Sequence, residues 1–348
     1  MSGDSERSAT DGPPAGPVVE AHGVSFTFGR GRAGLESIDL VVAAGETLVL
    51  LGPNGSGKTT LLRLFARDLR PRAGGIRHRS GDDSKRGAVR VGYAPDMSTH
   101  FDELTGRENA RWFVRAAGGT ARAADALLVR FGMADHADLP VGEYSFGMRR
   151  RIDLIEALAA EPRLVLLDEP TVGLDPDGTR VLADVLAERA ATGAAIIIAT
   201  NDTRVAAAAD RVAFLHRGRI VAIDSPSALL EAVRGCTSIE IDLESPLREP
   251  PMMPDGASAT ATRDGLIVDS VRGTADLPAI CDTIGRAGGR IRRIDVREPG
   301  FDDVFRKLTG ESLTAGPDGS ESLTAGPDGK AGTGQSARRG SGPPWRRR

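Results

Sequence analysis

The segment GPNGSGKTT, residues 52–60, has the residue types needed to hold phosphate groups. Its glycines let a loop fold so that successive backbone N–H groups point at one anion. A strand-like run precedes the segment and a helix-like run follows it, so the start of the helix adds further free N–H groups. Lys58 can reach the β- and γ-phosphates of a nucleotide, and the Thr59 hydroxyl can ligate Mg²⁺. The nucleotide-binding residues predicted from this segment are Gly52, Pro53, Asn54, Gly55, Ser56, Gly57, Lys58, Thr59 and Thr60.

Two adjacent acids follow a second apolar run, RLVLLDEP. Carboxylates that come directly after a buried strand are costly unless they face a charged ligand. Asp168 is suited to hold Mg²⁺, and Glu169 is suited to polarise an attacking water as a general base. The acid pair therefore predicts that a bound nucleotide is hydrolysed.

A third apolar run, AIIIATND, also ends in polar residues, Asn201 and Asp202. Its length and β-branched residues are typical of a strand that is buried on both faces of a parallel sheet. Ligands of such sheets bind beyond the carboxyl ends of the strands. Asn201 is therefore expected near the same nucleotide.

The segment EYSFGMRRRIDLIEAL predicts a helix that starts near Gly147 and has Ser145 as its N-cap. The start of this helix is a second potential anion site. Two sites for one terminal phosphate would be redundant in a single chain. We therefore expect a head-to-tail dimer in which each chain completes the partner's nucleotide site.

The elements that must position these residues form two domains. Residues 18–235 alternate β-rich apolar runs with amphipathic stretches, which indicates an α/β domain with a mainly parallel sheet and a helical insertion at about 95–160. Residues 236–310 include alternating runs such as SIEIDLE and predict a small α+β domain. Residues 1–17 are expected to be a disordered leader. Residues 311–348 are expected to be a disordered tail, in which ESLTAGPDG occurs twice, ten residues apart.

Composition and spacing exclude several other classes of function. The net charge of −3 argues against a dedicated nucleic-acid-binding protein. No run approaches the roughly 18 consecutive apolar residues that cross a bilayer, so a membrane component would have to be another chain. The histidines show no HxxxH or HExxH spacing and are expected in loops or at the surface rather than in a metal site. They are His22, His78, His100, His136 and His216.

The motifs GPNGSGKTT, YSFGM, LLDEP and VGLDP, in this order, resemble the ATP-binding subunits of ATP-binding cassette (ABC) transporters. The resemblance covers residues 18–310 and is greatest to the daunorubicin-resistance or ABC-2 exporter type, through LTGRENARWF, DRVAFLHRGRIVA and VREPGFDDVFRKLTG. It implies an α/β fold of the P-loop NTPase class, with a RecA-like core and a helical subdomain, followed by a small α+β domain. It also implies ATP and Mg²⁺ as ligands.

The same resemblance implies roles for further residues. Phe28 in VSFTFG would stack on adenine, and Asp96 in VGYAPDM would take the Q-loop position beside ATP and Mg²⁺. Asp175 in VGLDP would communicate across the dimer, and Asn201 would take the position of the switch histidine. The signature that contacts the partner's ATP would be Ser145, Phe146, Gly147 and Met148.

Four of these positions depart from the family pattern. Asn201 replaces a histidine; it can donate a hydrogen bond to phosphate but cannot titrate near neutral pH. Asp96 replaces a glutamine and brings a charge on a shorter stem. In the signature, Phe146 stands at a small-residue position and Met148 replaces a glutamine. These departures leave ATP binding secure and the rate of hydrolysis open.

The implied function is to power a membrane exporter through ATP-driven closure and reopening of the dimer. The partners would be a transmembrane permease on a separate chain and a second ATP-binding subunit, identical or different, with no nucleic acid. The protein would be cytoplasmic and peripheral on the inner face of the membrane. Three alternatives remain: the weakly hydrolysing half of a heterodimer, a regulatory protein, or an ABC ATPase without transport. The last is less favoured because the chain has one cassette and no long coiled coil.

Overall fold

The computed structural model describes residues 16–29, 34–79, 89–97, 100–233, 237–245, 247, 249–297 and 299–313. Most of the predicted leader and tail lies outside the described residues. The second copy of ESLTAGPDG also lies outside them, as does the first copy beyond Leu313.

The strands and helices follow the predicted alternation in the larger part of the chain. The strands are β1 (Pro17–Phe26), β2 (Leu35–Ala43), β3 (Thr47–Leu51), β4 (Ala73–His78), β5 (Val91–Ala94), β6 (Leu164–Asp168), β7 (Ala195–Thr200), β8 (Arg211–His216), β9 (Arg219–Asp224), β10 (Thr237–Leu243), β11 (Ala257–Ala261), β12 (Gly265–Ser270) and β13 (Ile291–Arg297). The helices are α1 (Lys58–Phe65), α2 (Gly106–Ala116), α3 (Ala121–Arg130), α4 (Phe146–Leu158), α5 (Pro176–Ala191), α6 (Thr203–Ala207), α7 (Pro226–Glu231), α8 (Leu277–Arg286) and α9 (Phe301–Thr309).

The central sheet has the strand order β5-β6-β7-β3-β8-β9. All neighbouring pairs are parallel except β8 and β9, so the predicted mainly parallel sheet is confirmed. Strands β6, β7 and β3 are consecutive neighbours. Their carboxyl ends therefore bring the phosphate-binding loop, the acid pair and Asn201 to one edge of the sheet.

Consecutive residues of the central strands alternate between two apolar cores. Leu48 and Leu50 of β3 join a core with β1, β2 and α1, whereas Val49 and Leu51 join a core with helices α2 to α5. Strands β6 and β7 alternate in the same way and are buried along their whole length. A strand covered on both faces needs apolar residues at every position, which explains the continuous apolar runs.

Two antiparallel sheets accompany the central one. Strands β2-β1-β4 form the first, which contributes to the core that contains α1. Strands β11-β12-β10-β13 form the second, whose core is built from β10, β12 and α8 and includes Ile239, Ile241 and Ile280. The strand β10 in the segment SIEIDLE, predicted from its alternation, is confirmed.

Helix α9 differs from the predicted division, in which it belongs to the small domain. Its apolar face joins the large core beside α2 to α5, where Phe305 is fully buried and its ring centroid lies 5.7 Å from that of Phe214 on β8. Its polar face holds the small domain, because Arg306 bonds to Asp269 of β12 at 3.1 Å. Helix α9 therefore fastens the small domain to the larger one.

The ends of the predicted domains also shift. Strand β1 begins at Pro17, inside the segment predicted as a leader. At the other end, Glu311 pairs with His216 at 3.0 Å and with Arg217 at 2.6 Å, and Leu313 is buried in the large core. These contacts lie inside the segment predicted as a disordered tail.

Helices α2, α3 and α4 form the helical insertion, and their N-termini are capped by Thr105, Thr120 and Ser145. The loop before α2 contains His100, whose side chain is only 1% exposed. His100 therefore lies in a loop, as expected for the histidines, but its side chain is buried rather than exposed. Among the described residues, no helix is both long enough and apolar enough to cross a membrane.

Candidate functional site

The phosphate-binding loop joins the end of β3 to the start of α1. Gly57, the residue before α1, has a φ of 110°, a conformation that side chains rarely adopt. A Cβ added at Gly52 would lie 2.1 Å from the carbonyl oxygen of Leu215, so only glycine fits against the neighbouring strand. No side chain caps α1, and its first N–H groups are therefore free to bind an anion.

Lys58 is almost fully buried at the first position of α1. Its ammonium donates hydrogen bonds to the carbonyl oxygens of Gly52 and Pro53, which hold the side chain across the loop. Burial lowers the pKa of Lys58, while the charges of Glu169 and Asp168 oppose that shift. The side chain therefore lies between the loop and the acid pair, where it can neutralise phosphate charge.

Asp168 is the last residue of β6 and is 2% exposed. Burial raises the pKa of its carboxyl group, and a hydrogen bond with Thr59 opposes that shift. The Oδ2 atom is buried and has no hydrogen-bond partner among the described residues. A buried carboxylate oxygen without a partner, next to a threonine hydroxyl, is the oxygen donor set that Mg²⁺ prefers.

Glu169 follows at a φ of 46°, in the left-handed region that a non-glycine residue seldom adopts. Its N–H donates to the Ala199 carbonyl at 2.8 Å, which ties it to β7. The Thr200 hydroxyl donates to the Oε2 of Glu169 at 2.8 Å and accepts from the N–H of Asp202 at 3.0 Å. The carboxylate is thus oriented by the end of β7, and burial raises its pKa.

These groups surround a cavity of about 280 Å³. Phe28 and Asp96 line it together with the loop and the acid pair. The Phe28 ring is 40% exposed and stands edge-on to Phe26, with the centroids 4.9 Å apart, so one face of the ring can receive a planar group. The lining residues are Phe28, Gly34, Pro53, Asn54, Gly55, Ser56, Gly57, Lys58, Thr59, Thr60, Asp96, Asp168 and Glu169.

Asn201 does not line that cavity. It is exposed and lines a neighbouring cavity of about 900 Å³, which Glu169 also borders. Asp202, the second polar residue after β7, caps α6 by accepting from the N–H of Arg204 at 2.9 Å and also pairs with the Arg204 side chain. Asp202 therefore has a structural role, and Asn201 shares a cavity with Glu169 rather than with the phosphate-binding loop.

The signature residues also lie outside the 280 Å³ cavity. Ser145 caps α4 by accepting from the N–H of Met148 at 3.3 Å. Phe146 is 61% exposed and covers Gly173, where an added Cβ would lie 2.4 Å from its ring; a Cβ added at Gly147 would lie 2.6 Å from the Gly173 carbonyl oxygen. The start of α4 therefore faces outward, packed on the loop before α5.

Asp175 connects that loop to the signature helix. It caps α5 by accepting from the N–H of Gly178 at 2.8 Å, and it also accepts from the Arg151 guanidinium of α4 at 2.8 Å. The hydrogen bond from Gly178 lowers the pKa of Asp175, and that from Arg151 adds to the effect. Asp175 therefore stays ionised and is tied to α4 by an ion pair.

Two residues of the site are not among those predicted. Thr200 orients Glu169, and the available signal was a hydroxyl at the end of an apolar strand, directly before Asn201. Arg150 donates to the carbonyl oxygens of Pro95 and Asp168. It stands in a run of three arginines, which suggests a solvated face, but it shares a helical face with Leu154 and Ala157, both buried.

Known proteins share much of this sequence. The sequence profile of the ABC transporter family matches residues 35–172. A fluoroquinolones export ATP-binding protein of Mycobacterium tuberculosis is 32% identical over 302 residues, which cover 85% of this chain and 95% of that protein. A daunorubicin resistance ATP-binding protein of Streptomyces coeruleorubidus is 35% identical over 315 residues, covering 85% and 97%.

Solved structures show the same fold. The ATP-binding subunit of an ABC transporter superimposes with a TM-score of 0.56 at 27% identity, over 62% of this chain and 92% of that one. A dimeric bacterial ABC transporter cassette gives a TM-score of 0.54 at 22% identity, a likeness of fold alone. With the phosphate-binding loop, the acid pair and these relatives taken together, the chain belongs to the ATP-binding subunits of ABC transporters and is an ATPase.

Proposed function

We propose that this ATPase powers a membrane exporter as a head-to-tail pair of ATP-binding subunits with two ATP molecules between them. The observation that carries the proposal is the outward-facing start of α4, with Ser145 as its cap and Phe146 exposed, outside the chain's own phosphate cavity. The phosphates of a second subunit's ATP can accept hydrogen bonds from the backbone N–H groups at the start of α4. The export functions named for the relatives support the choice of an exporter.

The residues of one chain divide the work of hydrolysis. The loop N–H groups and Lys58 hold the β- and γ-phosphates, while the Phe28 ring stacks on adenine. Thr59 and Asp168, with Asp96 alongside, are the groups that would hold Mg²⁺, which when bound neutralises charge on the phosphate oxygens. Glu169, oriented by Thr200, accepts a proton from the attacking water. Closure of the pair brings the partner's signature residues to the γ-phosphate, and phosphate release reopens it.

The membrane component would be a permease on a separate chain, which keeps the ATPase on the inner face of the membrane. Two large aromatic side chains, one in the loop before α2 and one on α2, are exposed: Phe101 at 42% and Trp112 at 52%. We call them the apolar patch. The Phe101 and Trp112 rings pack edge to face at 5.3 Å, so the patch has a fixed shape that suits an amphipathic helix.

The apolar patch leads to a testable result. Trp112→Ala is expected to weaken binding of the permease by about 2 kcal/mol, or roughly thirty-fold, as for a central aromatic of an interface. ATP hydrolysis by the isolated subunit should be unchanged, because the patch lies outside the phosphate cavity. Co-purification with the polytopic membrane protein encoded by a neighbouring gene measures the binding.

The matched control is Val129→Ala on α3, which also truncates an exposed apolar side chain, 65% exposed. It should leave co-purification unchanged. If Trp112→Ala binds as well as Val129→Ala, the permease contacts another surface.

A second candidate, the weakly hydrolysing half of a heterodimer, is favoured by Asn201 and Asp96. If Asn201 is an adequate substitute, Asn201→His should change ATP turnover by less than about tenfold, the effect of one hydrogen bond of roughly 1.4 kcal/mol. Steady-state phosphate release by the two purified proteins measures it. If the wild-type protein does not hydrolyse ATP and Asn201→His does, the chain is instead the deficient half of a heterodimer.

The dimer itself is tested by sedimentation of the wild-type protein with ATP, with and without Mg²⁺. An ATP-dependent dimer supports a homodimer. A monomer under every condition, combined with measurable nucleotide binding, points to a different second subunit.

A further inference from the structure

Arg150 is a buried arginine that connects three parts of the nucleotide site. It lies in α4, five residues after the cap Ser145, and is 3% exposed. Its Nη1 donates to the Pro95 carbonyl oxygen at 2.6 Å, and its Nη2 donates to the carbonyl oxygen of Asp168. Pro95 directly precedes Asp96. The guanidinium of Arg150 is thus hydrogen-bonded to the backbone at or next to Asp168 and Asp96, two of the carboxylates assigned to Mg²⁺.

A cluster of charged side chains adjoins the guanidinium. Asp153, one turn further along α4, has an oxygen 3.7 Å from Arg150 and another 3.0 Å from the Nε2 of His100. The opposite ring nitrogen of His100 lies 3.5 Å from Glu156. We call Arg150, Asp153, His100 and Glu156 the buried charge cluster. Their side chains are 1% to 10% exposed.

The cluster contains a histidine and two acids with metal-ligating atoms close together, but its charges are already balanced. The Nε2 of His100 faces Asp153 at 3.0 Å and the Arg149 carbonyl oxygen at 3.2 Å. Its Nδ1 lies 3.5 Å from the Oε1 of Glu156, and neither of these two atoms has a hydrogen-bond partner among the described residues, so their contact is one of charge. Burial alone would lower the pKa of His100, but the adjacent carboxylates of Asp153 and Glu156 raise it to about 10. An imidazolium and a guanidinium then neutralise two carboxylates, whereas a divalent ion would leave an excess positive charge in a buried site.

We propose that Arg150 is a positioning residue for ATP hydrolysis, held by the buried charge cluster so that it fixes the backbone of Asp168 and Asp96 relative to the signature helix. Dimer closure acts on the start of α4 at Ser145. Because Arg150 belongs to the same rigid helix, any shift of α4 is passed to the two carboxylates through its hydrogen bonds to carbonyl oxygens. The inference rests on the roles proposed above for Asp168 and Asp96.

The test compares Arg150→Gln and Arg150→Lys with the wild-type protein. Glutamine is shorter and can no longer span both carbonyl oxygens, so turnover should fall about 10- to 100-fold, as for a small misplacement of catalytic groups. The Mg²⁺ concentration for half-maximal activity should rise. Binding of a fluorescent ATP analogue in EDTA should stay unchanged, because the loop and Lys58 are untouched. Lysine keeps the charge but reaches one carbonyl oxygen, so it should give a smaller loss.

Arg180→Gln is the matched control. Arg180 forms an exposed ion pair with Asp177 on α5, and its replacement should leave turnover and Mg²⁺ dependence at wild-type values. A purely structural role for Arg150 would lower the yield of folded protein but leave turnover per folded molecule and Mg²⁺ dependence unchanged. That result would overturn the proposal.

Further variants keep the test decisive if Arg150→Gln does not fold. His100→Gln combined with Glu156→Gln removes one charge of each sign and leaves Arg150 in place, so it should lower turnover less than His100→Gln alone. Equal losses of turnover in the single and double variants would overturn the role of the cluster. It would also be overturned if the wild-type protein bound one equivalent of metal and His100→Gln bound none. If Asp168→Asn is inactive and Arg150→Lys is fully active, the proposed site stands and only the inference about Arg150 is rejected. If Asp168→Asn is active, the proposed site on which the inference rests is rejected as well.

Discussion

Replacing Glu169 with glutamine is expected to lower ATP turnover by about 10²- to 10⁴-fold, the usual contribution of a general base. Glutamine keeps the shape of the side chain but cannot accept a proton. Binding of ATP should be retained, because Lys58 and the loop glycines supply it. The ATP-bound form should therefore accumulate, and Glu169→Gln should give a long-lived ATP-dependent dimer wherever the wild-type protein gives a transient one.

The measurement is single-turnover hydrolysis together with equilibrium binding of ATP. The pH dependence adds a second check with a definite sign. Burial raises the pKa of Glu169, and a base works only when deprotonated. Turnover by the wild-type protein should therefore fall on acidification at a pH above the ordinary range of a glutamate. The residual activity of Glu169→Gln should lack that acidic limb.

Glu244→Gln makes the same chemical change in the small domain, at a side chain that is 57% exposed and lies 3.8 Å from Arg290. It should hydrolyse ATP at the wild-type rate. If Glu169→Gln also keeps more than about a tenth of the wild-type rate, Glu169 is not the base. Asp96, an exposed acid that also lines the cavity, would then be the group to replace next.

Most of the candidate site follows from local sequence rules. A glycine-rich loop between a strand and a helix can adopt few conformations, so Lys58 and Thr59 could be placed before any tertiary contact was known. Asp168 follows from the end of a buried strand, where an unpaired carboxylate would be too costly. Because β3, β6 and β7 are parallel neighbours, their ends had to meet.

The parts of the site that the sequence did not predict depend on contacts between side chains that are far apart along the chain. Asn201 directly follows the expected strand, but it lines the 900 Å³ cavity that Glu169 also borders. It does not line the 280 Å³ cavity that contains the phosphate-binding loop. His100 is buried because Asp153 and Glu156 on α4 pack against its loop, about 50 residues away along the chain. Hydrophobic periodicity describes one element at a time and carries no information about such pairs.

Helix α9 shows how a correct helix can be assigned to the wrong neighbour. The segment FDDVFRKLTG predicts an amphipathic helix, and the helix is present. Its position after a run of β-strands suggests that it covers their sheet. Instead, Phe301, Val304 and Phe305 enter the large core, and the acidic and basic face meets the small sheet. An amphipathic pattern fixes which face is buried but not which core receives it.

Phe305→Ala is expected to lower the free energy of unfolding by about 3–5 kcal/mol, the usual cost of truncating a buried phenylalanine. The ring is fully buried, and its centroid lies 5.7 Å from that of Phe214 and 5.6 Å from that of His216. The surrounding strand β8 is held in the central sheet and cannot move to fill the space. Urea unfolding followed by circular dichroism measures the loss, with the full chain used throughout.

Leu308→Ala is the matched control, because Leu308 lies on the same helix and is 47% exposed. An exposed truncation should change the free energy of unfolding by no more than about 0.5 kcal/mol. If Phe305→Ala costs no more than Leu308→Ala, α9 does not belong to the large core in solution. If the large cost appears together with faster proteolysis of the small domain, α9 is the link that keeps the two domains together, because the same helix carries Phe305 on one face and Arg306 on the other.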